Sequence, residues 1–204
     1  MVSKPKDKGG LGILNLTIQN EALLLKHLDK FYNKRNIPWV KLIWNAYYRD
    51  VVPYLARAKG SFWWKDVLSL HLQFRAIASC SSGSGNTISL WEDLINNKIT
   101  QHQYPRLFSY AKDPTMSLQL AFQSEPLHSL FNLPMSGEAF NEFNLFSLEI
   151  ESLRQNANNL DTWSYIWGSP LFTSHKYYKQ TFSAIVPPCS LQWICKSKCI
   201  PRLN

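Results

Sequence analysis

The N-terminal fold is determined by the stretch Lys4-Pro-Lys-Asp-Lys-Gly-Gly-Leu-Gly-Ile-Leu-Asn-Leu16, which runs directly into Ile18-Gln-Asn-Glu-Ala-Leu-Leu-Leu-Lys-His-Leu28. It combines a basic lead-in, a glycine-rich segment and a short apolar run ahead of an amphipathic helix. The glycines could either cradle a phosphate or turn the chain. Gly9-Gly10-Leu11-Gly12 lacks the Lys and Ser/Thr of a P-loop, and no strand precedes it. We therefore interpret it as a turn.

Length and composition predict a folded chain. Its 204 residues are enough for one sizeable core or two small ones, and 45% hydrophobic with 14% aromatic residues argue against disorder. No apolar run approaches the roughly 18–20 residues that span a bilayer. No apolar segment typical of a secretory signal peptide follows the basic start. We expect an intracellular protein without a membrane segment, with nuclear or cytoplasmic placement left open.

The net charge of +8 is unevenly distributed. Residues 1–60 carry 11 Lys and Arg against 4 acids, residues 61–174 carry 6 against 10, and residues 175–204 carry 5 and no acid. Basic ends around an acidic middle favour RNA or DNA as a partner, although a solvated charged face is the alternative. The candidate nucleic-acid contacts are Lys4, Lys6, Lys8, Lys26, Lys30, Lys34, Arg35, Lys176, Lys179, Lys196, Lys198 and Arg202.

Aromatic residues near these cations have two interpretations. Tyr32, Tyr177 and Tyr178 could stack on unpaired bases. They also fall at helical spacing, which favours packing in the core.

Cysteine spacing gives a weak metal signal. Cys195 and Cys199 have a spacing found in zinc sites, with Cys189 nearby, but no His follows to complete a four-ligand set. We therefore favour buried free thiols for these three and for Cys80.

Helical periodicity dominates the first half of the chain. Apolar residues three and four apart predict a helix from about residue 16, capped by Asn15 or Thr17, and Pro38 is well placed to begin a second helix. Ser61 is the expected cap of a third helical segment. Arg75–Cys80 and Thr87–Trp91 flank a Ser/Gly loop and predict a β-hairpin.

The second half predicts further helices and a small strand pair. Four prolines between residues 100 and 135 leave room only for short helices. Ser136 is the expected cap of a longer helix. Trp163–Trp167 alternates like a strand, with Leu171–Thr173 as its expected partner. Thr173 or Ser174 is the expected cap of a last, basic helix. The predicted fold class is mainly α with small β-hairpins (α+β).

Catalytic constellations are not apparent. The Asp residues are scattered, and Glu92-Asp93 is the one adjacent acidic pair. We interpret that pair as surface charges or a helix-start signal, with metal binding as the alternative. The five histidines lack a partner at a recognised spacing. We predict no catalytic residue, metal, cofactor or small-molecule substrate.

Three blocks of the sequence resemble one family, in the family's order. The first comprises Lys4-Pro5-Lys6, Gly9-Gly10-Leu11-Gly12, Asn15-Leu16, Asn20, Ala22-Leu23-Leu24 and Lys26. The second comprises Ser61, Trp64-Lys65, Gly83, Gly85-Asn86, Ile88-Ser89-Leu90-Trp91 and Asp93. The third comprises Trp163, Trp167, Leu171-Phe172-Thr173, Tyr177-Tyr178 and Trp193-Ile194-Cys195-Lys196-Ser197-Lys198-Cys199-Ile200-Pro201. Together they resemble plant non-LTR (LINE-type) retrotransposon reverse transcriptases, from the end of the polymerase domain into the start of the reverse transcriptase zinc-binding domain.

The resemblance implies a non-catalytic fragment. The family's catalytic aspartates, in an aromatic-Ala-Asp-Asp motif, lie upstream of the matching region, and its zinc ligands lie downstream of the position matching Pro201. Residue patterns and the resemblance together predict a basic helical hairpin over 1–60 as a post-polymerase connector, a helical module over 61–155 with a β-hairpin near 75–91, and a truncated zinc-binding-domain start over 160–204. RNA-templated DNA synthesis would belong to the intact parent. The alternative hypothesis is a stand-alone basic nucleic-acid-binding module.

Overall fold

The structure, a computed structural model, describes residues 4–48 and 60–186, and helices dominate it. The helices are α1 Leu16–Tyr32, α2 Pro38–Tyr47, α3 Phe62–Ser69, α4 His71–Ile77, α5 Thr100–Gln103, α6 Pro105–Phe108, α7 Leu118–Gln123, α8 Gly137–Arg154 and α9 Ser174–Thr181, with 3-10 turns at Lys6–Lys8 and Leu127–Leu130. The strands are β1 Ala78–Ser81, β2 Leu94–Ile95, β3 Lys98–Ile99 and β4 Thr162–Tyr165. This architecture confirms the α+β class in its coarse form. The predicted sites at Lys196, Lys198, Arg202 and the last three cysteines lie outside the described residues.

Helix starts follow the local sequence closely. Asn15 Oδ1 accepts hydrogen bonds from the amides of Thr17 and Ile18, at 3.0 and 3.3 Å, so Asn15 caps α1. Pro38 is the first residue of α2, as predicted. The predicted caps Ser61, Ser136 and Thr173 also accept from amides in the first turns of α3, α8 and α9. The third helical segment, however, is divided into α3 and α4, with Leu70 between them.

The four strands form a mixed sheet in the order β3-β2-β1-β4. Strand β1 runs antiparallel to β4, with Cys80 opposite Trp163, and parallel to β2. The predicted hairpin near 75–91 is therefore wrong. Its second half pairs elsewhere, because the Leu90 amide donates to Met116 O at 3.1 Å and the Leu118 amide donates to Ile88 O at 2.9 Å.

The predicted return strand at Leu171–Thr173 is also wrong. Strand β4 uses β1 as its partner, and the chain after β4 turns at Gly168, whose φ of 71° suits glycine. One isolated bridge joins Tyr165 to Ser169 across this turn. Leu171–Thr173 then leads into α9 without strand structure.

The Ser/Gly loop after β1 wraps around the Asp161 carboxylate. The amides of Gly83, Gly85 and Thr87 donate to it at 2.9, 2.7 and 3.0 Å, and Thr87 Oγ1 donates at 2.8 Å. A Cβ on Gly83 would lie only 2.4 Å from Asn159 O, so glycine is required where the two segments touch. The loop is thus a turn, as predicted, but its partner is 76 residues away from Gly85 in sequence.

The described residues form two compact units. We call residues 4–26 with 172–186 the end unit, and residues 27–48 with 60–171 the central unit. The end unit unites two stretches that belong to separate predicted segments.

An aromatic cluster forms much of the central unit's core. The Phe31 ring stacks on Trp44 with centroids 4.4 Å apart, and the Tyr32 ring stacks on Phe74 at 5.0 Å. Trp163 on β4 meets both Tyr32 and Phe74 at 5.5 Å. Tyr32 is fully buried, which confirms the core-packing interpretation of this ring. Each such ring contributes roughly 1.5–3 kcal/mol through burial.

Buried carboxylates in the central unit have specific partners. Asp93 is buried, accepts from the Ser89 amide at 2.6 Å and pairs with Arg75 Nε at 3.0 Å. The expectation that Asp93 is a surface charge is wrong, because its carboxylate is used inside the fold. Arg75 also pairs with Glu92.

Asp29 on α1 accepts a 2.6 Å hydrogen bond from the hydroxyl of Tyr165 on β4. Burial raises the pKa of the Asp29 carboxyl above its ordinary value, and the hydrogen bond from Tyr165 opposes that shift only in part. Burial, with the negative charge of Asp29, also raises the pKa of the Tyr165 hydroxyl. The pair therefore links the helix to the sheet with the proton on Tyr165 at neutral pH.

We expect Asp161→Asn to lower the free energy of unfolding by about 2–4 kcal/mol. In the native chain four donors share the charged carboxylate, whereas in the variant some of them would face the NH₂ group, which is itself a donor. Urea unfolding measures the loss. Asp66→Asn is the matched control, since Asp66 is exposed on α3. Equal stability of the two variants would contradict the assigned role of the carboxylate.

Asp29→Asn tests the raised pKa. An Asp whose pKa is raised in the folded state weakens folding as pH rises from its unfolded value of about 3.9 through the folded value. The substituted amide keeps an oxygen for Tyr165 and does not titrate. Between about pH 4 and about pH 7 the variant should therefore gain stability relative to the native chain, measured by urea unfolding at each pH. A stability difference that does not change with pH would contradict this prediction.

Candidate nucleic-acid interface

The glycine amides of the N-terminal turn donate to carbonyls within the turn. Its 3-10 helix ends at Gly9, which has a left-handed φ of 78°. The Gly9 amide donates to Lys6 O at 3.1 Å, the Gly10 amide to Pro5 O at 3.1 Å, and the Gly12 amide to Lys4 O at 3.0 Å. Amides that already donate to carbonyls are not available to cradle a phosphate. The interpretation of the glycines as a turn is confirmed, and these three glycine amides do not form a phosphate cradle.

Helix α9 presents a basic face opposite a buried one. Thr173 Oγ1 caps it by accepting from the Lys176 amide at 3.3 Å. Tyr177 and Tyr178 are buried, at 8% exposure each, whereas His175, Lys176 and Lys179 are exposed. Burial and the charge of Glu21 raise the pKa of the Tyr177 hydroxyl. The tyrosines therefore pack within the end unit, as their spacing predicted, and the cations point to solvent.

Two hydrogen bonds connect the N-terminal turn to the α9 region. The Tyr178 hydroxyl accepts from the Asn15 amide at 3.0 Å. Lys8 Nζ donates to Ser183 O at 3.3 Å. The two basic ends of the chain, more than 160 residues apart in sequence, are thus held side by side.

Between these elements lies a pocket of about 270 Å³, which we call the basic pocket. Its described lining comprises Pro5, Lys6, Gly12, Leu14, His175, Tyr178 and Lys179. Lys6 comes from the N-terminal turn and Lys179 from α9, and no acid is among these lining residues. The lining provides two ammonium groups, an imidazole and the aliphatic surface of Pro5 and Leu14, which we call the apolar floor.

The two units differ in net charge. Residues 4–26 and 172–186 carry six Lys against two acids, whereas the described central unit carries ten Lys and Arg against eleven acids. Positive potential is therefore concentrated in the end unit, where Lys4, Lys8, Lys26 and Lys176 accompany the two pocket lysines.

Three predicted contacts belong to the central unit instead. Lys30 is in the last turn of α1, and Arg35 is exposed beyond it. Lys34 Nζ lies 4.5 Å from the centroid of the Trp44 ring, and desolvation lowers the pKa of its ammonium group. Its position over an aromatic face favours a structural cation–π contact.

His175 and Leu14 line the basic pocket but were not predicted as contacts. His175 precedes Lys179 by four residues, so the two share a face of α9. A helical projection of α9 would have found His175. No sequence signal marks Leu14 as a pocket residue, because its neighbour α9 is distant in sequence.

The alternative of metal binding at Glu92-Asp93 finds no support in the described residues. They contain no group of three or more His, Cys, Asp or Glu side chains placed to hold a metal ion. Cys80 is buried, as predicted, and burial raises the pKa of its thiol well above the ordinary value. Among the helices of residues 4–48 and 60–186, none has the length and apolar character needed to cross a membrane.

We expect Tyr178→Phe to accelerate hydrogen exchange at the Asn15 amide and to destabilise the end unit by about 1 kcal/mol, because that amide loses its acceptor. Amide exchange followed by NMR measures the effect. Tyr177→Phe retains the Asn15 acceptor and is the control. Unchanged protection of Asn15 in Tyr178→Phe would contradict the connection.

Comparison with known proteins adds no family assignment. No protein-family model, curated protein or solved structure matches the chain.

Proposed function

We propose that this chain is a non-catalytic, nucleic-acid-binding segment of a retrotransposon reverse transcriptase, and that its end unit contacts the phosphate backbone of RNA or DNA. The observation that carries the binding proposal is the basic pocket, where lysines from both ends of the chain meet. The retroelement origin depends on the ordered sequence blocks that resemble plant LINE-type enzymes. RNA-templated DNA synthesis is assigned only to an intact parent.

The charge arrangement supports a polyanion partner. Exposed Lys6, Lys176 and Lys179 lie in one unit with a clear excess of cations, and each can neutralise a phosphate and release its counterion. Phosphate contacts of this kind position a strand without reading its sequence. We therefore expect binding with little sequence preference and a strong dependence on salt.

The use of carboxylates supports a non-catalytic role. Two-metal phosphoryl transfer needs acidic side chains that converge on an open site. In the central unit, Asp93 pairs with Arg75, and Asp161 is enclosed by the Ser/Gly loop. Both carboxylates stabilise the fold where they stand. Primer extension by the purified chain alone would overturn this part of the proposal.

A stand-alone binding module is the second candidate, and the hydrogen bonds within the end unit favour considering it. The Tyr178–Asn15 bond and the Lys8–Ser183 bond keep the basic face assembled from this chain's own residues. Binding by the isolated chain is expected under both candidates. The two candidates differ in whether the chain functions alone. A role that appears only when the chain is joined to a polymerase domain in one polypeptide would support the fragment over the stand-alone module.

The binding proposal predicts the behaviour of a triple variant, Lys6→Gln, Lys176→Gln and Lys179→Gln. Each lost contact with a single strand should reduce the slope of log K against log salt by about 0.7, so the slope should fall by about 2. Fluorescence anisotropy with a labelled single-stranded RNA, titrated at several salt concentrations, measures the slope.

The matched control is Lys41→Gln, Lys65→Gln and Lys98→Gln. It removes the same net charge from exposed positions of the central unit. We expect this control to retain most of the native salt slope. Equal loss in the two triple variants would indicate a non-specific charge effect and would contradict the assignment of the interface to the end unit.

A further inference from the structure

We propose that the basic pocket accommodates one unpaired nucleotide of a single strand, with its base against the apolar floor and a neighbouring phosphate at the cationic rim. This inference rests on the proposed nucleic-acid binding and specifies its substrate class. It distinguishes single strands from duplexes, which backbone contacts alone do not.

The lining has two chemical parts. Lys6, His175 and Lys179 supply cationic or hydrogen-bonding groups, and Pro5 and Leu14 supply aliphatic surface. A duplex presents phosphates outward and keeps its bases stacked, so it would use the cations and leave the aliphatic surface wet. An unpaired nucleotide offers an anionic phosphate and a flat, weakly hydrated base face together. The combined lining complements the unpaired nucleotide better.

The apolar floor is open to solvent at Leu14. Leu14 is 57% exposed, and its side chain is part of the pocket rather than of the core. Exposed apolar surface beside a cluster of cations is typical of a site that excludes water when occupied. The pocket's 270 Å³ falls just below the range of roughly 300–1,000 Å³ found for ordinary small-molecule sites, which restricts it to a single small occupant.

Two local contacts hold the pocket residues in place. The hydrogen bond from the Asn15 amide to the Tyr178 hydroxyl holds the residue after Leu14 against α9. Gly12 has a φ of 74°, and a Cβ at this position would lie 2.8 Å from Lys6 Cγ. The glycine therefore lets the Lys6 stem lie along the pocket wall. Holding these groups in place reduces the ordering cost of binding.

The nucleotide's base gains affinity here through contact with apolar side chains, and base identity matters little because every base has a flat face. We therefore expect oligouridylate and oligoadenylate to bind comparably. Removing the bases while keeping the sugar-phosphate chain should lower the affinity. The phosphates can still contact the cationic residues, but the apolar floor loses its contact with a base.

The experiment compares three labelled probes with the full chain at one salt concentration: an oligouridylate, an abasic sugar-phosphate oligomer of the same length, and an RNA duplex. We expect the oligouridylate to bind about tenfold more tightly than the abasic oligomer, an effect near the lower end of that found for stacking of one base on an aromatic side chain. Leu14→Ser should abolish most of this difference, because the base loses its apolar contact in the pocket. Leu16→Ser is the matched control, since Leu16 is 78% exposed and does not line the pocket.

The outcomes separate this inference from the proposed function. Equal binding of the oligouridylate and the abasic oligomer, with no effect of Leu14→Ser, would overturn the nucleotide pocket and leave backbone binding intact. Duplex binding as tight as oligouridylate binding would overturn it as well. Failure of all three probes to bind would overturn the proposed function itself. Circular dichroism of Leu14→Ser and Leu16→Ser verifies that both variants are folded.

Discussion

Four hydrogen bonds converge on the carboxylate of Asp161, and the arrangement of the central unit depends on them. Strand β4 begins at the next residue, so fixing Asp161 against the loop that follows β1 also aligns the two strands. Ser81, the last residue of β1, is accordingly paired with Thr162, the first residue of β4. The aligned β4 brings Trp163 to Phe74 and places Tyr165 where its hydroxyl reaches Asp29. One buried carboxylate thus connects a loop, a sheet and an aromatic core.

The acids of the central unit act mainly as internal acceptors. Asp29 accepts from Tyr165, Asp93 from the Ser89 amide, and Glu149 from the Tyr104 hydroxyl at 2.7 Å. Glu142 accepts from the Leu107 amide at 2.8 Å. A carboxylate that accepts such bonds offsets the desolvation of neighbouring donors, which is costly when they are left unpaired. These hydrogen bonds give Asp29, Asp93, Glu142 and Glu149 a structural role inside the central unit.

Local signals were predictable from the sequence, and distant pairings were not. Asn15, Ser61, Ser136 and Thr173 cap helices because each acts within three residues of itself. The predicted strand partners were wrong because the Ser/Gly loop was interpreted from its own residues alone, as a hairpin turn. Its true acceptor, Asp161, carries no sequence mark that links it to glycines 76 or more residues away. The prediction for Asp93 was wrong for the same reason, since its position next to Glu92 does not reveal its pairing with Arg75.

For the candidate interface too, the sequence predicted the charge but not the geometry. The sequence indicated that both ends were basic, yet it could not indicate that they form one unit, because the Lys8–Ser183 and Asn15–Tyr178 bonds join segments at opposite ends of the chain. Joining the two ends in one unit changes how their lysines can bind a phosphate. Two separate basic tails would neutralise phosphates independently, whereas Lys6 and Lys179, which line one pocket, can act on the same ligand group. Because the three glycine amides of the N-terminal turn already donate to carbonyls, the lysine side chains are the main candidates for contact with an anion. Such a site favours a ligand with both an anionic and an apolar part, and a nucleotide of a single strand has both.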